Sequence, residues 1–337
     1  MINPKYFRDP TTAWKGPDGK WRVLVGNQMN GHGQAVLYTS TDFVRWTRSR
    51  NPLHSSNKTT MWECPDFYPV SINGKYGVDN SSQDKFTKHI LKASIINTHD
   101  YYILGNYSVK TDHFSPDTDF KGDASDLRYD YGKFYASKTF FDSSKKRRIL
   151  WAWIPESDTD SDDIKKGWPG LQSVPRSILL SKNHRKLIQW PIKEIEKLRE
   201  KKVSFGIKEI KGGSVLKVPG ITAAQADVKV SFDLPSLKEA ELMDPSWADP
   251  QLLCSQKAAS VRDKVGPFGL LVLASKGLKE QTAVLFGVFR SSHGKYVVLM
   301  CSDQSRSSLR EGLDITTYGA FMDMDPKPGE DFTENFD

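Results

Sequence analysis

The chemistry of this chain centres on Met61-Trp62-Glu63-Cys64-Pro65-Asp66-Phe67. Glu63 stands between a tryptophan and a cysteine, and Cys64-Pro65 restricts the backbone just after it. A carboxyl beside aromatic and apolar side chains is poorly solvated, and poor solvation favours its neutral, proton-donating form. That is the property of a general acid working near neutral pH. The same heptapeptide also fits a surface-loop glutamate beside a packing tryptophan, because perturbed carboxyls are often structural. The rest of the chain has to decide between the two.

Other candidate sites are weaker. Asp158-Thr-Asp-Ser-Asp-Asp163 has the oxygen-rich spacing of a calcium loop, but lacks the turn glycine and distal glutamate of an EF-hand. A solvated loop without a metal is expected there. The three cysteines, Cys64, Cys254 and Cys301, are too few for a disulfide scaffold and contain no CxxC pair for zinc. Sequons at Asn57, Asn80 and Asn106 point to a secreted glycoprotein. The formal charge of +7 is spread as scattered Lys and Arg among 41 acids, with no arginine-rich helix. Such a surface suits an anionic matrix such as a pectin-rich wall and is not a nucleic-acid footprint. No membrane-spanning run or signal peptide occurs in the 337 residues, and the opening Met1-Ile-Asn-Pro reads like mid-domain sequence, as after a truncation.

The elements that must position Glu63 read as β-structure. The length allows two domains, and 11% aromatic content suits strands. Trp21–Gly26, Ala35–Thr39, the pair His89–Ile95 and Tyr101–Gly105, and the pair Lys133–Phe141 and Arg148–Trp153 are expected strands, the pairs as hairpins. Sheet-sized units recur about every 50 residues, which fits a propeller or a sandwich. Gln189–Arg199 is the expected helix, with Pro191 at its start and Ile192, Ile195 and Leu198 at helical spacing. It links a first domain, residues 1–190, through 191–202 to a second all-β domain, residues 203–337. Strands are expected there at Ala226–Phe232, Phe268–Ala274, Thr282–Phe289 and Tyr296–Met300, with none after Asp325.

Several motifs in fixed order carry a family resemblance. Phe7-Arg8-Asp9-Pro10 is followed by Trp62-Glu63-Cys64-Pro65-Asp66-Phe67, by Arg128-Tyr-Asp-Tyr-Gly132 and by Phe134–Phe141. Trp151-Ala-Trp153, Gly167–Arg176, Met300–Leu309 and Thr316–Ala320 continue the series. The chain resembles plant glycoside hydrolase family 32, the cell-wall invertases and fructan exohydrolases, from about Asn3 to about Pro328. The resemblance implies an all-β fold, a five-bladed β-propeller with its first blade largely missing, followed by a β-sandwich incomplete at its C-terminal end. It also implies a retaining mechanism through a fructosyl-enzyme intermediate.

In that family pattern Glu63 is the acid/base, Asp9 stabilises the transition state by holding fructosyl hydroxyls, and Arg8 pairs with these carboxylates. Asp66 either shapes the surroundings of Glu63 and binds substrate or is a structural turn residue. Asp130 and Tyr131 either line the substrate funnel or complete a β-turn. Cys254 and Cys301 match the family's disulfide. The family's nucleophile, in Trp-Met-Asn-Asp-Pro-Asn-Gly, has no match in these residues and would lie upstream of Met1. Little hydrolysis is therefore expected of this chain as it stands.

Near the acid/base, plant invertases carry an Asp and a basic residue that seat the glucose of sucrose. Here Ile95 and Ile96 can make neither bond, which favours a fructan exohydrolase, of β-2,1 linkages, over an invertase. A catalytically inactive fructan-binding relative is the alternative from another class. The expected protein is a secreted monomer of the apoplast or cell wall, with the vacuole as the alternative. Its partners would be fructan or sucrose and cell-wall polysaccharide, with no cofactor, nucleic acid or membrane.

Overall fold

Alternating apolar runs between turn signals fold as hairpins, and successive hairpins share cores. The computed structural model describes residues 3–82, 84–95, 99–123, 125–221, 225–234, 236–257 and 265–324. A first sheet contains β1 (Phe7–Arg8), β2 (Trp14–Lys15), β3 (Trp21–Met29), β4 (His32–Ser40), β5 (Thr47–Arg48) and β6 (His54–Ser56). Its central hairpin turns at Asn30-Gly31, both at positive φ (53° and 83°), the chemistry of a two-residue turn. A second sheet is the antiparallel meander β7 (Trp62–Ser71), β8 (Thr87–Ile95), β9 (His99–Ser108) and β10 (His113–Pro116). A third holds β11 (Tyr135–Asp142), β12 (Arg147–Ile154), β13 (Leu171–Gln172), β14 (Arg176–Leu180) and β15 (Leu187–Pro191).

Side-chain alternation lets the middle sheet serve two cores. Phe67, Leu91, Ala93 and Ile103 point to one side and pack with Trp14, Leu24 and Leu37 of the first sheet. Tyr68, Ile90, Tyr102 and Leu104 point to the other and pack with Leu150, Ile178 and Leu187 of the third. Antiparallel sheets stacked face to face in chain order are propeller-like blades. Among the described residues, three precede the linker.

The second module is built on β16 (Glu241–Leu242), β17 (Phe268–Val272), β18 (Thr282–Arg290), β19 (Tyr296–Asp303) and β20 (Tyr318–Met324), one sheet of a sandwich. Two α-helices occur among the described residues, α1 (Asp160–Lys166) and α2 (Pro250–Lys257). Leu253 and Cys254 of α2 pack on Phe289 and Leu299, and Cys254 is bonded to Cys301 on β19, Cα atoms 5.6 Å apart. Lys133 reaches Asp314 at 2.7 Å, and Arg310 reaches Asp162 on α1 at 2.5 Å, joining the two modules.

Three local expectations change. Ala226–Phe232 alternates as a strand should, yet it forms no ladder, and Val228 and Val230 are 55% and 46% exposed. A strand needs a paired edge, and none lies beside this run among the described residues. The expected helix at Gln189–Arg199 divides into the end of β15 and a 3₁₀ stretch, Lys193–Leu198. Ile192 and Ile195 are half-buried but Leu198 is 75% exposed, so the far end of the apolar stripe has no surface to bury against. Glu194 instead fastens the stretch to Arg147 at 2.8 Å.

The acidic run at Asp158–Asp163 is the start of α1 rather than a loop. Thr159 and Asp162 form a capping box, and Gly167 at φ 82° closes the last turn. Glu156, Asp158 and Asp163 gather on the Lys166 ammonium, 2.5 Å from Asp158 and 2.9 Å from Asp163. The segment from Asp325 onward lies outside the described residues.

Candidate active site

Glu63 is the second residue of β7, and its carboxylate is held from two sides. Arg8 Nη1 donates to Oε1 at 2.8 Å, and the Tyr135 hydroxyl donates to Oε2 at 2.5 Å. The groups touching this carboxylate are thus a guanidinium and a phenol, not the Trp62 ring. Trp62 points the other way along the strand, is fully buried, and donates its indole N–H to Thr59 Oγ1 at 2.7 Å. Burial, and after it the neighbouring Glu63 carboxylate, raise the Tyr135 phenol well above its ordinary range, so it remains a hydrogen-bond donor.

Asp9 lies beside this pair. Its Oδ2 accepts from the Cys64 amide at 2.9 Å and from the Cys64 thiol at 3.5 Å. Burial pushes that thiol up to about 11, so it stays protonated and acts as a donor. Arg8 and Asp9 therefore reach the two consecutive residues Glu63 and Cys64. Lys138 adds a second link, donating to Pro10 O at 3.1 Å and Pro65 O at 2.6 Å.

Backbone irregularities aim these groups. The β7–β8 ladder slips between Glu63 and Asp66, and the β11–β12 ladder slips between Tyr135 and Lys138. Asp9, Cys64 and Ala136 have φ of 59°, 44° and 52°. Each such non-glycine residue costs about 1–3 kcal/mol and persists only where its surroundings over-determine it. Close approach of the first two sheets also matters. Arg8 pairs with Gly26 in the ladder, and a Cβ on Gly26 would stand 2.2 Å from Trp62 O. A Cβ on Gly33 would stand 2.1 Å from Thr60 O. Only glycine lets β7 lie this close, and that closeness brings Glu63 to Arg8.

The other expected site residues lie apart from this group. Asp66 is 1% exposed, and its Oδ2 accepts from the amide and hydroxyl of Thr139, each at 2.7 Å. It ties β7 to β11 from inside and has no face for a ligand. Asp130 is ion-paired with Arg176 at 2.7 Å and accepts from Gly132 N at 2.8 Å, which closes a turn. Tyr131 is half-buried, and no hydrogen bond joins it or Asp130 to Glu63, Arg8 or Asp9. Ile95 is 8% exposed in the core with Phe114 and Phe120, so it is a packing residue. Ile96 lies outside the described residues.

Asn57 and Asn106 are exposed, whereas the Asn80 amide donates to Phe67 O at 3.0 Å and its carbonyl accepts from Arg148. Tyr135, Lys138 and the residues behind them were not singled out from the sequence. Tyr135 sits inside the Phe134–Phe141 motif, and its signal was the motif itself. An open cleft of about 460 Å³ adjoins the group at Ala136 and Lys138, walled by Trp151, Trp153 and Leu171.

Many known proteins match this chain in sequence or fold. The model for the glycosyl hydrolases family 32 N-terminal domain matches residues 2–191, and that for the family 32 C terminal matches residues 194–317. The insoluble beta-fructofuranosidase isoenzyme CWINV1 of Arabidopsis thaliana is 54% identical over 332 residues, covering 96% of this chain and 57% of that protein. A fructan 6-exohydrolase of Beta vulgaris is 51% identical, covering 96% of this chain and 54% of its own length. The crystal structure of fructan 1-exohydrolase IIa from Cichorium intybus superposes with a TM-score of 0.93 at 52% identity, over 96% of this chain and 61% of that one. The same enzyme has been solved, as a variant, in complex with 1-kestose. The chain thus spans less than two thirds of the length of these relatives.

Proposed function

Since the chain belongs to glycoside hydrolase family 32, we propose that it serves the release of terminal β-fructofuranosyl units from fructans by a retaining mechanism. The observation that carries this reading is the Glu63 carboxylate held between Arg8 and Tyr135, with Asp9 against the next amide. Glu63 gives its proton to the leaving glycosidic oxygen and then takes one from water. When Glu63 is ionised, Arg8 and Tyr135 hold its two oxygens in place. Asp9, fixed by Cys64, presents its remaining acceptor capacity to fructosyl hydroxyls. The attacking carboxylate of the family's Asn-Asp-Pro motif has no counterpart in these 337 residues. Turnover depends on that group being supplied.

Secretion to the cell wall fits the exposed sequons at Asn57 and Asn106 and the net positive charge. No helix among the described residues is long and apolar enough to cross a membrane. An invertase acting on sucrose is the second reading, favoured by the 54% identity to the Arabidopsis enzyme.

Fructose release from 1-kestose, inulin, levan and sucrose separates the readings. It is measured on the chain and on the chain joined to a segment bearing the Asn-Asp-Pro motif. The joined protein is expected to turn over 1-kestose and inulin faster than sucrose, and Glu63→Gln should lower the rate by about 10²–10⁴-fold. Faster sucrose turnover establishes the invertase. Binding of 1-kestose without turnover of any fructoside by the joined protein establishes a non-catalytic relative.

A further inference from the structure

Behind Glu63, between the second and third sheets, lies an ion pair that the proposed chemistry does not use. Lys92 and Asp100 have fully buried side chains, with Nζ 3.1 Å from Oδ2. The Lys92 ammonium donates to Ser94 Oγ and Ser137 O, each at 2.8 Å, and to Cys64 O at 3.1 Å. Asp100 accepts from the Ser94 hydroxyl at 2.5 Å and from Ser137 N at 2.7 Å. Among the described residues, every partner of the pair's side chains is thus either Ser94, which the two share, or backbone of two particular places.

Those places are the bulges that present the site. Cys64, at φ 44°, follows Glu63, and Ser137 follows Ala136, at φ 52°, and Tyr135. The pair therefore grips the chain one residue after Glu63 and two residues after Tyr135, the two ends of the 2.5 Å hydrogen bond. A buried ion pair adds little stability over an apolar pair of equal volume, and its attested use is to fix one arrangement among several. Here the backbone it touches is left-handed at Cys64 and follows the left-handed Ala136 at Ser137.

We infer that Lys92 and Asp100 are positioning residues for the acid/base: the buried pair sets the backbone at Cys64 and Ser137 and so holds the Tyr135 hydroxyl on Glu63. This inference rests on the hydrolase reading for its significance but not for its test. The test uses the 337-residue chain labelled with 4-¹³C-tyrosine. Loss of one resonance in Tyr135→Phe assigns Tyr135, and Glu63→Gln gives its position when the acceptor is no longer a carboxylate.

Two variants then loosen the grip without leaving a lone buried charge. Lys92→Met with Asp100→Asn removes both charges at nearly constant volume, and Ser94→Ala removes the shared hydroxyl. In the double variant the Tyr135 resonance should move at least halfway to its Glu63→Gln position, with the other tyrosine resonances in place. Ser94→Ala should move it in the same direction by less, and it decides the matter alone if the double variant does not fold. In the joined protein the double variant should lower kcat by about tenfold or more while KM stays within threefold. A folded variant whose Tyr135 resonance keeps the wild-type position overturns the inference. Absence of any fructoside hydrolysis ends the hydrolase reading and leaves the Tyr135 resonance to decide this one.

Discussion

The two seams of the propeller-like half are built on different principles. Between the first and second sheets a core of rings is accompanied by charged contacts, Arg22 on Asp112 at 2.6 Å and Asp9 on the Cys64 amide at 2.9 Å. Trp14, Phe67, Tyr107 and Phe114 meet there, Phe67 lying 5.1–5.6 Å from Trp14, Tyr107 and Phe114. Between the second and third sheets an apolar floor of Tyr68, Ile90 and Tyr102 carries a polar layer: Asp66 on Thr139, and Lys92 and Asp100 on Ser137. Ring packing sets how far apart two sheets lie but tolerates small slides. Charge-assisted hydrogen bonds to backbone atoms fix register at individual residues. The seam that presents Tyr135 to Glu63 buries both partners of its ion pair fully, whereas Asp112, the partner of Arg22 in the first seam, is 27% exposed.

That contrast can be broken by substitution. Lys92→Met alone leaves Asp100 buried without a counter-charge and should lower stability by ~3–5 kcal/mol, read from the denaturant midpoint. The paired change Lys92→Met with Asp100→Asn should recover most of that loss, which would show that the charges act through position more than through stability. Outside both seams the second module relies on a covalent tie. Cys254→Ser with Cys301→Ser should cost on the order of 3–4 kcal/mol by loss of loop constraint and leave the Tyr135 resonance unmoved.

The first seam has its own titratable group. His89 stacks on Phe67 at 5.2 Å, and burial, helped by the Arg148 charge, holds its pKa down to about 3. The unfolded chain binds a proton near pH 6.5 and the folded chain does not. Stability present above pH 6.5 is therefore lost as pH falls toward 3, by about 1.4 kcal/mol per pH unit. His89→Leu should flatten that slope relative to the parent chain in urea titrations between pH 6.5 and 4. The smallest effect belongs to neither seam: Val228→Thr, in the exposed unpaired run, should change stability by no more than about 0.5 kcal/mol. A larger loss would mean that this run is packed after all.

Much of this was visible in the residues before the fold. The hairpins of β8–β9 and β11–β12 follow from alternation and turn residues, and Cys254–Cys301 forms as the family pattern implies. Alternation failed at Ala226–Phe232 because it specifies faces, not partners. The helix α1 was hidden by its charge, although Thr159 with Asp162 three residues on, and Gly167 beyond, was its signature. Lys92 was not singled out: it is one charge in the apolar run Ile90-Leu91-Lys92-Ala93, and nothing in that run points to its partner Asp100, eight residues away across a hairpin. The surroundings of Glu63 were misjudged for a geometric reason: adjacent strand residues face opposite ways, so Trp62 is its sequence neighbour and Tyr135 its spatial one.

Gly26 and Gly33 impose a rule on inheritance. Because a single added methyl group at either would collide with the backbone at Trp62 or Thr60, the first sheet is shaped to one particular neighbour. Exchange between related genes with a crossover between residues 40 and 60 must bring in a sheet with glycine at both places. The heritable unit here is the pair of sheets with its shared motifs, and libraries of shuffled relatives should yield folded, site-competent recombinants mainly where that pair is kept whole.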